Sequence, residues 1–138
     1  MPAAAVGRPA RAEQGEPMPR DTPRIAIVGV CGSGKTVLAE ALRARGYNAR
    51  TIAQEHSLVA GMWRAHGPPN ILIYLDARPE TINARLGRSD WNEEMVAEQH
   101  RRLAETRAWC DLYLPTDGLT REQVLETVLA FLREGWGI

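Results

Sequence analysis

The fold is decided by residues 24–42, which read RIAIVGVCGSGKTVLAEAL. The run 25–28 is short, apolar and closed by Gly29, which is typical of a strand buried on both faces. After the glycines, apolar residues recur on one stripe, and this spacing predicts a helix over 35–45 that ends at Gly46. The stretch therefore predicts a strand, a glycine-rich turn and a helix in immediate succession.

The turn fits the phosphate-loop motif G-x-x-x-x-G-K-[ST] at every position. In such a loop the glycines let the backbone approach phosphate oxygens, while N–H groups and the helix N-terminus supply partial positive charge. Lys35 would add a full charge, and the Thr36 hydroxyl would hold magnesium. The predicted nucleotide-binding residues are Gly29, Val30, Cys31, Gly32, Ser33, Gly34, Lys35 and Thr36. Cys31 is either a thiol activated by the loop amides or a small residue at a variable position.

The charge balance and the cysteine count of the chain exclude several classes of protein. The 138-residue chain balances 17 basic against 17 acidic residues, which argues against proteins that coat nucleic acid or anionic lipid. Lys35 is the only lysine, and it stands at the motif position. Two cysteines are too few for a disulfide scaffold, and no apolar run approaches eighteen residues, so we expect a soluble protein of the cytoplasm. The spacing of the histidines and cysteines predicts no transition-metal site.

The rest of the chain alternates between strand and helix patterns. Predicted strands cover 47–53, 71–75 and 111–114, and predicted helices cover 57–66, 79–86, a segment from Asp90 to about 106, and a segment after Thr120 to about 132. The last two helices each begin with a capping-box pattern, Asp90 with Glu93 and Thr120 with Gln123. This alternation predicts an α/β protein whose mainly parallel sheet of about four strands has helices on both sides.

The chain is predicted to consist of an N-terminal arm and one folded domain. Residues 1–23 hold five of the nine prolines and only two large apolar side chains, so we expect a disordered N-terminal arm. Residues 24–138 form the predicted nucleotide-binding domain.

Residues 71–86, which read ILIYLDARPETINARL, combine the predicted strand 71–75 with the predicted helix 79–86. Together with the phosphate loop, they resemble the P-loop nucleoside and nucleotide kinases, in particular the strand and helix before the lid of thymidylate and deoxynucleoside kinases. The resemblance implies a three-layer P-loop NTPase fold. It also implies that Arg85 and Arg88 are lid arginines that stabilise charge on a transferring phosphoryl group. The alternative is two solvated arginines at a polar helix end.

The segment Gln54-Glu55-His56 follows the second predicted strand, and Trp63 comes shortly after. In deoxynucleoside kinases, a Glu at this place with a Trp after it serves as the base for the substrate hydroxyl, and the resemblance assigns that role to Glu55. The alternatives for Glu55 are an acid that supports the direct ligands of magnesium without binding the ion itself, or a surface residue. His56 and Trp63 are candidates for lining the acceptor pocket, with a core position as the alternative for Trp63.

One departure from the resemblance affects the metal site. Those kinases have a further strand, bearing an acid–arginine pair, where this chain has only about twenty residues before Ile71. Asp76 is then the carboxylate at the end of an apolar strand. It is interpreted either as the Walker B acid that orders magnesium with Thr36 or as the pre-lid Asp without a metal role. The resemblance further implies that the loop 115–119 cradles adenine, with Thr116 and Asp117 as contributors or as part of an ordinary turn. The absence of an N-K-x-D pattern disfavours GTP specificity of the Ras type.

These features together predict a protein that binds Mg–ATP and transfers its γ-phosphate to a small-molecule acceptor. The predicted catalytic residues are Lys35, Glu55, Arg85 and Arg88. The alternative is a nucleotide-binding module, or a slow ATPase, without kinase activity.

Overall fold

The strands assemble into one sheet around the run that precedes the glycines. The computed structural model describes residues 6–7, 22–65 and 67–138, and within them the strands are β1 (Val6–Gly7), β2 (Arg24–Gly29), β3 (Asn48–Thr51), β4 (Ile71–Asp76) and β5 (Leu112–Pro115). Their order across the sheet is β1-β5-β4-β2-β3. The last four are mutually parallel, and β1 pairs antiparallel with β5. The carboxyl ends of β2, β3, β4 and β5 therefore meet at one edge.

Helices cover both faces of this sheet. They are α1 (Lys35–Ala44), α2 (Pro79–Leu86), α3 (Glu93–Arg102), α4 (Ala104–Trp109) and α5 (Arg121–Trp136). Side chains of α1 and α5 pack with Ile25, Ile27 and Ile73 in one apolar core. On the opposite face, side chains of α2 and α3 pack with Val28 and Tyr74 in a second core. The prediction of an α/β protein with a small, mainly parallel sheet between helices is confirmed.

Most predicted elements appear within a few residues of their expected bounds. β2, α1, β4 and α2 follow the expected sequence patterns, and Gly46, with φ of +88°, follows the end of α1. The predicted capping box at the start of α5 is also present. Thr120 Oγ1 accepts from Gln123 N at 3.1 Å, and Gln123 Oε1 accepts from Thr120 N at 2.9 Å.

The predicted helix over 57–66 is wrong for the residues that are described; His66 lies outside them. Short 3-10 turns, Gln54–His56 and Met62–Arg64, are formed instead. Ser57 Oγ accepts from Val59 N at 3.1 Å, a local bond that competes with helix formation. The buried Gln54 side chain then spans the turn, donating to Val59 O at 2.7 Å and accepting from Trp63 N at 2.9 Å.

The predicted start of the next helix at Asp90 is also wrong. Asn92 is the N-cap of α3, and its side chain accepts from Met95 N at 2.9 Å. Asp90 pairs with Arg88 Nε at 2.8 Å instead, two residues before the N-cap. The long helix is further divided at Leu103, where α3 ends and α4 follows.

The predicted arm, residues 1–23, lies outside the described residues apart from 6–7 and 22–23, so its disorder remains a prediction. The sequence did not predict β1, whose Val6 is paired with Tyr113 and Gly7 with Leu112. Among the described residues, no helix combines the length and the apolar character needed to cross a bilayer.

The capping box at Thr120 gives a stability prediction. Thr120→Ala removes the acceptor for Gln123 N and should lower the free energy of unfolding by about 1 kcal/mol in urea titrations. Thr127→Ala is the matched control, because Thr127 lies within the same helix and bonds only to its preceding turn, at Gln123 O. That variant should be neutral or slightly stabilising. Equal losses in the two variants would contradict the capping role.

Candidate functional site: the glycine loop and its neighbours

Residues 29–36, the glycine loop, leave the carboxyl end of β2 and enter α1 directly. Glycine is required at position 29, where φ is +154° and an added Cβ would lie 2.1 Å from Leu75 O on the neighbouring strand. Gly34, at φ +101°, is the N-cap of α1. Among the described residues, α1 has neither a side-chain cap nor an acid in its first turn. Its first N–H groups and the positive end of its dipole thus remain available to an anion.

The Lys35 ammonium lies over this loop. Nζ donates to Gly29 O at 2.8 Å, to Val30 O at 3.1 Å and to Glu55 Oε2 at 2.8 Å. The side chain is 12% exposed. All three ammonium protons thus have acceptors within the protein.

Glu55 is the carboxylate that the fold brings to Lys35. It lies in the 3-10 turn after β3, and because β3 pairs parallel with β2, both strands deliver their following residues to the same edge. The residue is only 3% exposed. Its second oxygen, Oε1, is buried and has no hydrogen-bond partner among the described residues. Such an orphaned oxygen is costly in a protein interior, and one explanation is a ligand or proton that the site takes up.

A cavity of about 630 Å³ lies beside the glycine loop and α1. Thr36 and Arg85 line its polar part, and Leu119 and Leu125 contribute apolar wall. A volume of this size, with apolar walls and a few polar groups, is typical of small-molecule sites.

Arg85 joins the glycine loop to the loop after β5. Its Nη1 donates to Gly32 O at 2.9 Å and to Thr116 Oγ1 at 2.8 Å, and Nη2 donates to Thr116 O at 2.6 Å. Thr116 in turn donates to Ser33 O at 2.8 Å. The structure therefore brings the predicted lid residue Arg85 to the loop. Arg88 is half exposed and pairs with Asp90.

Asp76 lies at a second cavity, of about 710 Å³, together with His100 and Tyr113. Its Oδ1 is 2.9 Å from His100 Nε2, and its Oδ2 accepts from the Tyr113 hydroxyl at 2.7 Å. Burial opposes ionisation of Asp76, but the hydrogen bonds from His100 and Tyr113 hold its pKa below its ordinary value. Thr36 and Asp76, the two predicted magnesium ligands, line different cavities.

Three further candidates, Trp63, Thr116 and Asp117, take positions that the sequence left open. Trp63 is buried in the second core, and its indole Nε1 donates to Glu105 at 3.2 Å, which matches the core alternative. Asp117 accepts from Arg78 N at 2.8 Å and lines the second cavity, whereas Thr116 lines the first.

Gln99 is a site residue that sequence reasoning missed. It is 6% exposed, its Oε1 accepts from Cys31 N at 2.9 Å, and its Nε2 lies 3.3 Å from Cys31 Sγ. The available signal was an amide on the apolar stripe of its helix, because a buried amide needs polar partners. His56 Nε2 approaches the same sulfur at 3.4 Å.

A scan against protein-family models finds no match for this chain, and a search of the curated proteins finds no relative.

The contact between Asp76 and His100 predicts a pH-dependent stability. The hydrogen bond with Asp76 raises the pKa of His100, so the protonated imidazole stabilises the fold. This contribution is complete below the ordinary histidine pKa of about 6.5 and is lost as the pH rises through the raised value. Urea unfolding should therefore show wild-type stability falling as the pH rises above about 6.5, and falling less in His100→Gln.

The same comparison with Asp76→Asn tests the cause, because that variant removes the partner carboxylate and should also flatten the dependence. An equal fall in the wild type and both variants would assign the effect to other groups.

Proposed function

We propose that the protein binds ATP at the glycine loop and transfers its γ-phosphate to a small acceptor that carries a hydroxyl group. The observation that carries this proposal is the position of the Lys35 ammonium, over a glycine loop that opens into an uncapped helix N-terminus. The resemblance of residues 29–36 and 71–86 to P-loop kinases supports the same assignment. With this function we propose that the α/β fold is that of a P-loop NTPase.

The loop has features that suit a triphosphate. The α1 N-terminus and the Lys35 ammonium both favour negative charge at one place. The Ser33 hydroxyl oxygen is buried within the loop and has no hydrogen-bond partner among the described residues. This hydroxyl could therefore donate to a phosphate oxygen. The adjacent cavity, with Leu119 and Leu125 in its wall, would receive the base and sugar.

Magnesium, when bound, would neutralise charge on the phosphates. Thr36 lines the cavity beside the loop and is the residue that would hold the ion. Asp76 remains a predicted ligand, but its carboxylate would first have to leave His100 and Tyr113.

The chemical step needs a base and a means of stabilising charge. The acceptor oxygen forms a bond to the γ-phosphorus, the bond from that phosphorus to the bridging oxygen breaks, and ADP leaves with the electron pair. The acceptor proton goes to Glu55, whose Oε1 has no other partner among the described residues. Lys35 and Arg85 lie at the loop to stabilise phosphate charge, while Arg88 would have to exchange Asp90 for phosphate.

A nucleotide-binding module without transfer activity is the second candidate. The segment 52–65 favours this candidate, because it forms two 3-10 turns and no strand. Few residues are therefore present there to build a binding site for an acceptor. Incubation with radiolabelled ATP and a panel of nucleosides and small metabolites separates the two functions. A labelled acceptor supports the kinase, and micromolar ATP binding without any labelled acceptor supports the module.

Lys35→Ala should abolish ATP binding measured by calorimetry, because no other lysine exists to replace the charge. Since that variant leaves Glu55 buried and unpaired, the double variant Lys35→Ala/Glu55→Gln removes both charges and should fold while still failing to bind. Arg133→Ala, an exposed change near the end of α5, is the control and should bind as the wild type does. Wild-type affinity in the double variant would overturn the assignment of the loop.

Glu55→Gln should slow phosphoryl transfer about a hundredfold or more if Glu55 is the base. ATP affinity should not fall, because the substitution removes a carboxylate that competes with phosphate for Lys35. Glu40→Gln makes the same chemical change at an exposed position of α1 and should leave the rate unaltered. An unchanged rate in Glu55→Gln would remove Glu55 from the mechanism.

A further inference from the structure

Three metal-ligating side chains meet at the glycine loop. Cys31 belongs to the loop, and Glu55 and His56 belong to the 3-10 turn after β3. One ligand atom from each lies within 4.8 Å of the other two. Cys31 Sγ is 3.4 Å from His56 Nε2, and His56 Nε2 is 3.7 Å from Glu55 Oε2.

Two of these separations match those of a tetrahedral metal site. Zinc binds sulfur at about 2.3 Å and nitrogen or oxygen at about 2.0–2.2 Å, so tetrahedral ligands lie roughly 3.3–3.8 Å apart. The separation between Cys31 and His56 and the separation between His56 and Glu55 fall within that range. The Cys31 sulfur and the Glu55 carboxylate, which lie within 4.8 Å of each other, would close to tetrahedral spacing when an ion binds between them.

Glu55 supplies an independent reason to expect a cation. The carboxylate is 3% exposed, its Oε2 accepts from Lys35, and its Oε1 has no hydrogen-bond partner among the described residues. A buried carboxylate oxygen in this condition is satisfied by a proton or by a positive ion. The 3.7 Å separation from His56 Nε2 is to Oε2, so the Glu55 carboxylate would turn on binding to bring Oε1 to the ion while Oε2 keeps Lys35.

We propose that Cys31, Glu55 and His56 form a binding site for a thiophilic divalent cation such as Zn²⁺, with water in the fourth position. Thiolate and imidazole ligands select zinc or cobalt over magnesium. On binding, the Cys31 thiol releases its proton to solvent, and sulfur bonds to the metal. His56 has a side chain that is 58% exposed and so provides the route by which an ion enters.

Neighbouring groups set the strength of the site. Gln99 Nε2 lies 3.3 Å from Cys31 Sγ and can donate to the thiolate, as groups around metal ligands commonly do. The Lys35 ammonium repels a cation, because it lies 2.8 Å from the same Glu55 carboxylate. The site should therefore be weaker than a structural zinc site and should bind the ion reversibly.

Cobalt(II) titration of the full chain in the absence of nucleotide tests the proposal. The wild type should take up one Co²⁺ with a near-ultraviolet thiolate charge-transfer band and intense visible bands of tetrahedral cobalt, and Zn²⁺ should displace it. Cys31→Ser should lose the charge-transfer band. His56→Gln should weaken binding at least tenfold. Thermal unfolding of each variant verifies that it is folded.

Matched controls use the same substitutions elsewhere in the chain. Cys110→Ser changes the other cysteine, and His100→Gln changes a histidine at the second cavity, so both should bind cobalt as the wild type does. A wild type without a charge-transfer band at millimolar Co²⁺, or a band that survives Cys31→Ser, would overturn the site.

The consequence for activity rests on the proposed function. A cation on Glu55 would occupy the proposed base, so Zn²⁺ should inhibit phosphoryl transfer by the wild type and inhibit Cys31→Ser at least tenfold less strongly. The cobalt measurement contains no nucleotide, so absence of the band counts against the metal site alone. Absence of transfer with every acceptor counts against the proposed function alone.

Discussion

The bonds of one ammonium group organise the candidate site. Lys35 Nζ reaches two backbone carbonyls at the end of β2 and the carboxylate of Glu55 beyond β3. A nearly buried ammonium is tolerated only where its charge and its protons are matched, and here the acceptors come from two neighbouring strands. The ammonium thus joins the glycine loop to the 3-10 turn, whose Glu55 also lies near Cys31 and His56. A phosphate at the loop would have to share the ammonium with these acceptors.

Local signals explain the parts of the fold that sequence reasoning predicted. The apolar runs at 25–28 and 71–75 are buried on both faces, and the capping box at Thr120 needs only residues three apart. The failures came where distant or side-chain contacts decide the structure. The conformation of segment 57–65 is set by the side-chain hydrogen bonds of Gln54. The two-residue strand β1 is formed by pairing with β5, which lies more than one hundred positions later in the chain.

The candidate site divides in the same way. Lys35 and Thr36 were evident from the motif, and Arg85 from the resemblance of its helix, since each lies in a contiguous pattern. Gln99 and the neighbours of Cys31 were not evident, because residues 31, 55 and 99 meet only after the chain has folded. The histidine and cysteine spacing predicted no transition-metal site. Such spacing compares ligands within one element, so it could not show that Cys31 of the loop meets Glu55 and His56 of the 3-10 turn.

Helix α2 extends from one cavity to the other. Pro79 at its first turn lines the cavity of Asp76 and His100, whereas Arg85 and Leu86 at its other end line the cavity beside the glycine loop. Eight residues of α-helix form a stiff rod about 12 Å long. A ligand that moved this rod as one body would change the shape of both cavities, and the free energy of such coupling would act equally in both directions. The two cavities are thus thermodynamically linked to the extent that α2 moves as one body.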